Sequence, residues 1–295
     1  MKNIRFLLML LLPMLMMACE KLELPEEEKP SLPQGNLTLS VFKLEQTPFN
    51  ASTRGTGVDV CTRLNFVIYD TEGTRLMKED QKLGDDDFGT ANFLLEEGTY
   101  QLVVIAHSCN KNPTTTDPAK IQFSNLTKSG SGTGYTDTFL YNTTITIGAE
   151  PQTLKLTLHR IVALCRFVIE DKIPADVAQL RFQYTGGSGH FDASTGLGVT
   201  KSTQTVFFSN DGESQFDLYT FLHDTEGTIN LMVTAYDDSD NLLYEERKFE
   251  IPLVQNQITW FSGSFFSGKS PVTSQGITTT LSIDDVWDGQ VHLTY

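Results

Sequence analysis

The segment Glu97-Gly98-Thr99-Tyr100-Gln101-Leu102-Val103-Val104-Ile105-Ala106 decides how this chain is read. A charged turn ending in glycine runs into an apolar stretch rich in β-branched residues, the composition of a core strand. The same order recurs as Glu226-Gly227-Thr228-Ile229-Asn230-Leu231-Met232-Val233-Thr234-Ala235. A second pair, Phe66-Val67-Ile68-Tyr69-Asp70 and Phe167-Val168-Ile169-Glu170-Asp171, follows the same order along the chain. The offsets differ, 129 for the first pair (97 to 226) and 101 for the second (66 to 167), so the later copy carries insertions. Two ordered matches predict a duplicated strand-rich domain. Gly98 and Gly227 are expected to supply a positive φ, with every other residue beyond them facing a core.

Outward from these landmarks the texture stays β. Leu37, Leu39 and Val41 alternate with polar residues, and Leu37–Leu44 is the expected first strand. Residues 61–69, 161–169, 181–185, 203–209, 215–222, 228–236, 242–251, 257–265 and 290–294 are further expected strands. Thr143–Ile147 and Thr153–Leu158 flank Gly148-Ala149-Glu150-Pro151 and predict a hairpin, while Pro174–Leu180 suits one short helix or turn. No long 3.6-residue period interrupts the mature chain. Many short strands at close spacing predict all-β architecture, two tandem sandwich domains over residues 36–159 and 160–295. The junction Thr157-Leu158-His159-Arg160 holds no flexible linker, so the two domains are expected to pack stiffly.

The N-terminus, MKNIRFLLMLLLPMLMMACE (Met1–Glu20), carries a basic head, an apolar run and a small residue before Cys19. This pattern predicts a secretory leader, residues 1–18, with a run too short for a membrane-spanning helix. Residues 19–35 are rich in charge and proline, as an extended tether is. The formal charge is −15, and losing Lys2 and Arg5 with the leader lowers it by 2, to −17. Such acidity argues against nucleic acid as a partner and against a polybasic grip on anionic lipid. Beyond Cys19 there are three cysteines, Cys61, Cys109 and Cys165, room for at most one internal disulfide.

No catalytic constellation stands out, and neither cofactor nor small-molecule substrate is implied. The five histidines lack HExxH spacing and no cysteine pair has zinc-site spacing. His107, at the end of a core strand, reads as a satisfied histidine rather than a base. Asp85-Asp86-Asp87 reads as a solvated acidic turn rather than a calcium loop, and Gly186-Gly187-Ser188-Gly189-His190 as a hairpin tip. Trp260, Phe261, Phe265, Phe266 and Trp287 are either core or a sugar-binding platform.

Ala18-Cys19 resembles the bacterial lipobox, whose cysteine receives a diacylglyceryl thioether, and the acidic tether is similar to the surface-export signal of Bacteroidetes lipoproteins. With VCTRLNFVIYD (60–70), EEGTYQLVVIAH (96–107) and RIVALCRFVIED (160–171), the chain resembles the FimB/Mfa2 family of fimbrial anchor lipoproteins. That resemblance implies two transthyretin-like sandwich domains, lipidation at Cys19, and a place at the fimbrial base on the outer membrane. It also implies that the chain limits filament length and has a fimbrial shaft subunit as its protein partner. Contact is expected by strand addition, with Ile277–Tyr295 as the candidate donor strand or contact surface. Related shaft subunits are cut after an arginine; here Arg54 is the candidate cut point. An anchor should keep its first strand, so the chain is expected to stay uncut. The alternatives are a shaft or tip fimbrillin released by proteolysis, or a surface glycan-binding lipoprotein.

Overall fold

Leu64, Phe66 and Ile68 point to one side of a strand while Asn65, Val67 and Tyr69 point to the other, and all six are buried. That double burial explains the unbroken apolar texture of this segment, because a strand covered on both faces has no solvent side to mark with polar residues. The computed structural model describes residues 35–45, 61–124, 135–244, 246–267, 280–282 and 290–295. Cys19 and Arg54 lie outside the described residues, as do the leader and residues 19–34. No helix occurs among the described residues.

The first sheet is built from β1 (Leu37–Glu45), β2 (Arg63–Tyr69), β3 (Arg75–Lys82), β4 (Thr90–Phe93), β5 (Gly98–His107), β7 (Phe139–Ile147) and β8 (Gln152–Arg160). Their order is β3-β2-β5-β7-β8-β1-β4. β7 pairs with β8 only at Phe139–Arg160 and Leu140–His159, so the sheet folds at that corner into two layers. Leu37, Leu39, Phe66, Val104, Ile147, Leu156 and Leu158 from both layers share one core. The expected hairpin around Gly148–Pro151 is therefore not a paired one. Ile145 and Leu156 enter the same core, β7 pairing with β5 while β8 pairs with β1. A short β6 (Ile121–Gln122) pairs with β11 (His190–Phe191).

The second half repeats this plan. β10 (Gln179–Thr185), β12 (Gln204–Ser209), β14 (Glu226–Tyr236) and β15 (Arg247–Val254) form a sheet of order β12-β10-β14-β15. β9 (Ala163–Ile169), β13 (Gln215–Thr220), β16 (Ile258–Gly263), β17 (Thr280–Ser282) and β18 (Gln290–Thr294) form the other, ordered β13-β9-β16-β18-β17. β9 runs parallel to β16 and antiparallel to β13, as β1 does to β8 and β4. β12-β10-β14-β15 likewise matches β3-β2-β5-β7. The repeat is real, but only one of the two sequence matches marks it. β5 and β14 are equivalent, whereas Phe66–Asp70 lies on β2 and Phe167–Asp171 on β9, which hold different places. The resemblance of that pair reflects shared core-strand composition.

Other expectations change as well. Neither Gly98 nor Gly227 has a positive φ; both sit within their strands. In β5 all residues from Leu102 to His107 are buried, not every other one. Residues 174–178 form a turn that leads directly into β10, because Val177 and Leu180 are drawn into the second core. β3 lacks the apolar alternation that would have announced it, and β4 and β17, at four and three residues, are too short to show a period.

Residues Gly35–Tyr295 form one compact unit. A third core lies on the outer face of β2 and β5, joining Val67, Tyr69, Val103 and Ile105 to Ile161, Val162, Phe191, Phe221 and Ile258. At that junction Arg160 grips Asp137 through two charge-assisted bonds, 2.7 and 2.8 Å, and donates to Asn256 at 3.2 Å. Its side chain is 1% exposed. The Val162 carbonyl accepts from the Asn256 N–H at 2.9 Å, and Asn256 adopts the left-handed conformation that lets this turn close.

Candidate functional site

Strand addition needs two things: a first strand held in the body, and an edge that another strand can join. β1 supplies the first. Leu37 and Leu39 are fully buried and Leu44 nearly so, while the backbone pairs with β4 on one side and β8 on the other. Fully burying three leucines is worth ~5–9 kcal/mol by area arguments. Asn36 pins the entry to this strand: its side chain donates to the Leu95 carbonyl at 2.7 Å and accepts from the Leu95 N–H at 2.9 Å. The expected strand Leu37–Leu44 thus coincides with an interior strand. The candidate cut point after it, Arg54, falls outside the described residues.

The C-terminal segment does not stand ready as a donor in this structure. β18 pairs in parallel with the chain's own β16 and antiparallel with β17. Leu293 is buried in the second core, and the Tyr295 ring stacks on Phe167 and Phe261 and packs tilted against Phe249, each at 4.9 Å. The Tyr295 hydroxyl donates to the Val168 carbonyl at 3.0 Å, and its N–H donates to Ser262 at 2.8 Å. Arg247 lies 5.2 Å above the Tyr295 ring and donates to the Ser264 carbonyl at 2.7 Å. Gly263 makes this approach possible, since a Cβ there would overlap the Tyr295 carbonyl oxygen and meet its ring at 2.9 Å. Beside it, both Asp171 carboxylate oxygens accept from the N–H groups of Phe265, Phe266 and Ser267 at 2.6–2.7 Å. These bonds hold the carboxyl below its ordinary range against the opposing effect of burial.

The aromatic platform is taken apart by strand alternation. Phe261 and Phe265 belong to the second core, while Trp260 faces the other side of β16. Both faces of its indole are occupied, by His292 stacked at 5.3 Å and by Arg166 at 4.9 Å. Arg166 in turn pairs with Asp217 through bonds of 2.7 and 2.8 Å. Phe266 packs on Tyr244, and Trp287 lies outside the described residues.

The other singled-out residues resolve structurally. His107 is fully buried. Its Nδ1 accepts from the Cys109 N–H at 3.1 Å, so its Nε2 carries the proton toward Asn65 Oδ1 at 2.9 Å. Asn65 passes the chain on to Asp80 at 2.6 Å. Burial, aided by the Arg63 charge, pushes the His107 pKa down to about 3. The segment Gly186–His190 is not a hairpin tip. Gly187, Ser188 and Gly189 are buried, and a Cβ on Gly189 would overlap the Tyr135 hydroxyl. Asp85 caps its own turn by accepting from the Lys82 N–H at 2.6 Å. Cys61, Cys109 and Cys165 are all buried free thiols, the first pushed by burial up to about 12. Sequence reasoning missed Arg160 with Asp137, and Asp171 with residues 265–267, because pairs so distant in the chain leave no local pattern.

An all-β chain of several sheets in which one strand order recurs is the class that this fold defines. The chain belongs to a family of unknown function, DUF6562, matched over residues 30–294. No curated protein matches it in sequence. Among solved structures it is similar to a candidate adhesin from Bacteroides ovatus, at 16% identity and TM-score 0.45 over 69% of this chain and 88% of that one. It is similar also to a fimbrial assembly protein from Parabacteroides distasonis, at 12% identity and TM-score 0.38 over 79% and 91%. The fimbrial anchor protein Mfa2 from Porphyromonas gingivalis shares 11% identity and TM-score 0.40 over 72% and 80%.

Proposed function

We infer that this chain is a non-enzymatic surface lipoprotein that fastens a fimbria to the outer membrane through an acylated Cys19, limits its length, and meets the basal shaft subunit by strand addition. The reading begins with the lipobox-like Ala18-Cys19 and the ordered strand motifs of the sequence. The observation that carries it is the seating of β1. A tether from a lipidated Cys19 would enter the body through a strand clamped between β4 and β8, with its leucines in the first core. Load applied along the tether then acts in shear across both ladders rather than peeling one pair at a time. On the same reading the domains divide at His159 and Arg160, with the Arg160–Asp137 pair bracing the junction.

The mature N-terminus separates this reading from a released fimbrillin. A blocked, acylated Cys19 is the expected product; a chain beginning at Gly55 would replace the anchor reading with the shaft reading. Deleting the gene should leave fimbriae shed into the medium or abnormally long by electron microscopy. Fimbriae of ordinary length that stay attached to the cells would overturn it.

A further inference from the structure

The outer face of the second half's four-stranded sheet carries a concavity of about 540 Å³, within the range of small-ligand sites, roughly 300–1,000 Å³. Two neighbouring lateral rows of the sheet build it. One runs Gln183–Met232–Lys248 across β10, β14 and β15, the other Thr185–Asn230–Glu250. All six side chains alternate with core residues and so share the outward face. We propose that this face binds a neutral saccharide chain.

Three features select that ligand class. The two amides are bifunctional, each offering both donor and acceptor, as adjacent sugar hydroxyls require. Among the described residues Asn230 makes no side-chain hydrogen bond, and Gln183 makes only a long one, 3.4 Å to Thr205. Met232 lies half-buried between the polar positions and gives a sugar ring's C–H face an apolar, polarisable floor. Lys248 and Glu250 are the two charged residues of the lining and they cancel, while Glu246, outside it, pairs with Lys248 at 3.0 Å. A polyanion would meet no net positive field there while the chain as a whole, at −15, repels it. A neutral polyhydroxyl chain suffers no such penalty. β15 is an edge strand, so the rows run out to the sheet margin and a polymer can extend beyond the concavity. This face is separate from β1 and β18, so its test does not depend on the fimbrial reading.

The test is native affinity electrophoresis of the full chain, purified in detergent, through gels containing mannan, xylan, dextran or amylopectin, with alginate as the acidic polymer. At least one neutral polymer should retard the chain and alginate should not. The double variant Gln183→Ala/Asn230→Ala should lose at least about tenfold in apparent affinity, ~1.4 kcal/mol. Thr153→Ala, exposed on β8, should change nothing. Should the double variant fold poorly, Lys248→Ala/Glu250→Ala on the exposed edge provides the second reading. No retardation by any of the four neutral polymers, stronger retardation by alginate, or binding that survives both double variants would overturn the proposal.

Discussion

Acid should find one particular weakness in this protein, and His107 is the place. In the unfolded chain its imidazole takes up a proton near 6.5; in the fold it stays neutral down to about 3. The unfolded state therefore binds more protons between those values, and stability falls as pH falls. The contribution is complete above pH 6.5 and is lost progressively toward pH 3. Each pH unit in that window costs at most about 1.4 kcal/mol, so about 2 kcal/mol is gone at pH 5 and about 4–5 in all. This is a large share of the ~5–15 kcal/mol that keeps a domain folded. The physical cause is geometric. Nδ1 already accepts from Cys109 and Nε2 faces Asn65 Oδ1, so a second ring proton would have to displace the Cys109 bond inside a dry core. The assay is guanidinium unfolding of the wild type and of His107→Phe from pH 7.5 to 4.5. The variant will be weaker throughout, since Asn65 Oδ1 loses its partner, but the difference between the two curves should shrink as pH falls. The many carboxylates titrate equally in both proteins and cancel in that difference. A gap that stays constant from pH 7 to 5 refutes the argument.

The Arg160→Ala substitution leaves Asp137 without its bidentate partner and should cost about 3 kcal/mol, by urea unfolding; Arg160→Met/Asp137→Leu should recover most of it. Gly263→Ala should push Tyr295 out of its aromatic pit, and carboxypeptidase release of the C-terminal residues should quicken by about tenfold or more. Asp171→Asn should weaken the hold on residues 265–267 and cost ~1–2 kcal/mol, a difference that narrows as pH falls through the carboxyl's unfolded value. With their pKa values raised by burial, Cys61, Cys109 and Cys165 should resist a disulfide reagent at pH 8 until denaturant is added.

Local composition was enough to give the all-β class and most core strands. β-branched runs such as Leu102–Ala106 and turn signals such as Asn210-Asp211-Gly212 act over a few residues, and their physics is local. It was not enough to pair those strands. The offsets of the two sequence matches equated β2 with β9, and only the ladders showed that β9 holds the place of β1. β3 was invisible because an edge strand with Arg75, Lys78, Glu79, Asp80 and Lys82 has little apolar surface to bury. Two-sided burial of β5, the splitting of Trp260 from Phe261, the docking of Tyr295 into its own sandwich and the polar rows on β10, β14 and β15 all depend on which strands lie side by side. That choice is made by long-range burial and backbone pairing, whose partners lie tens to more than a hundred residues apart, so no window of sequence contains it.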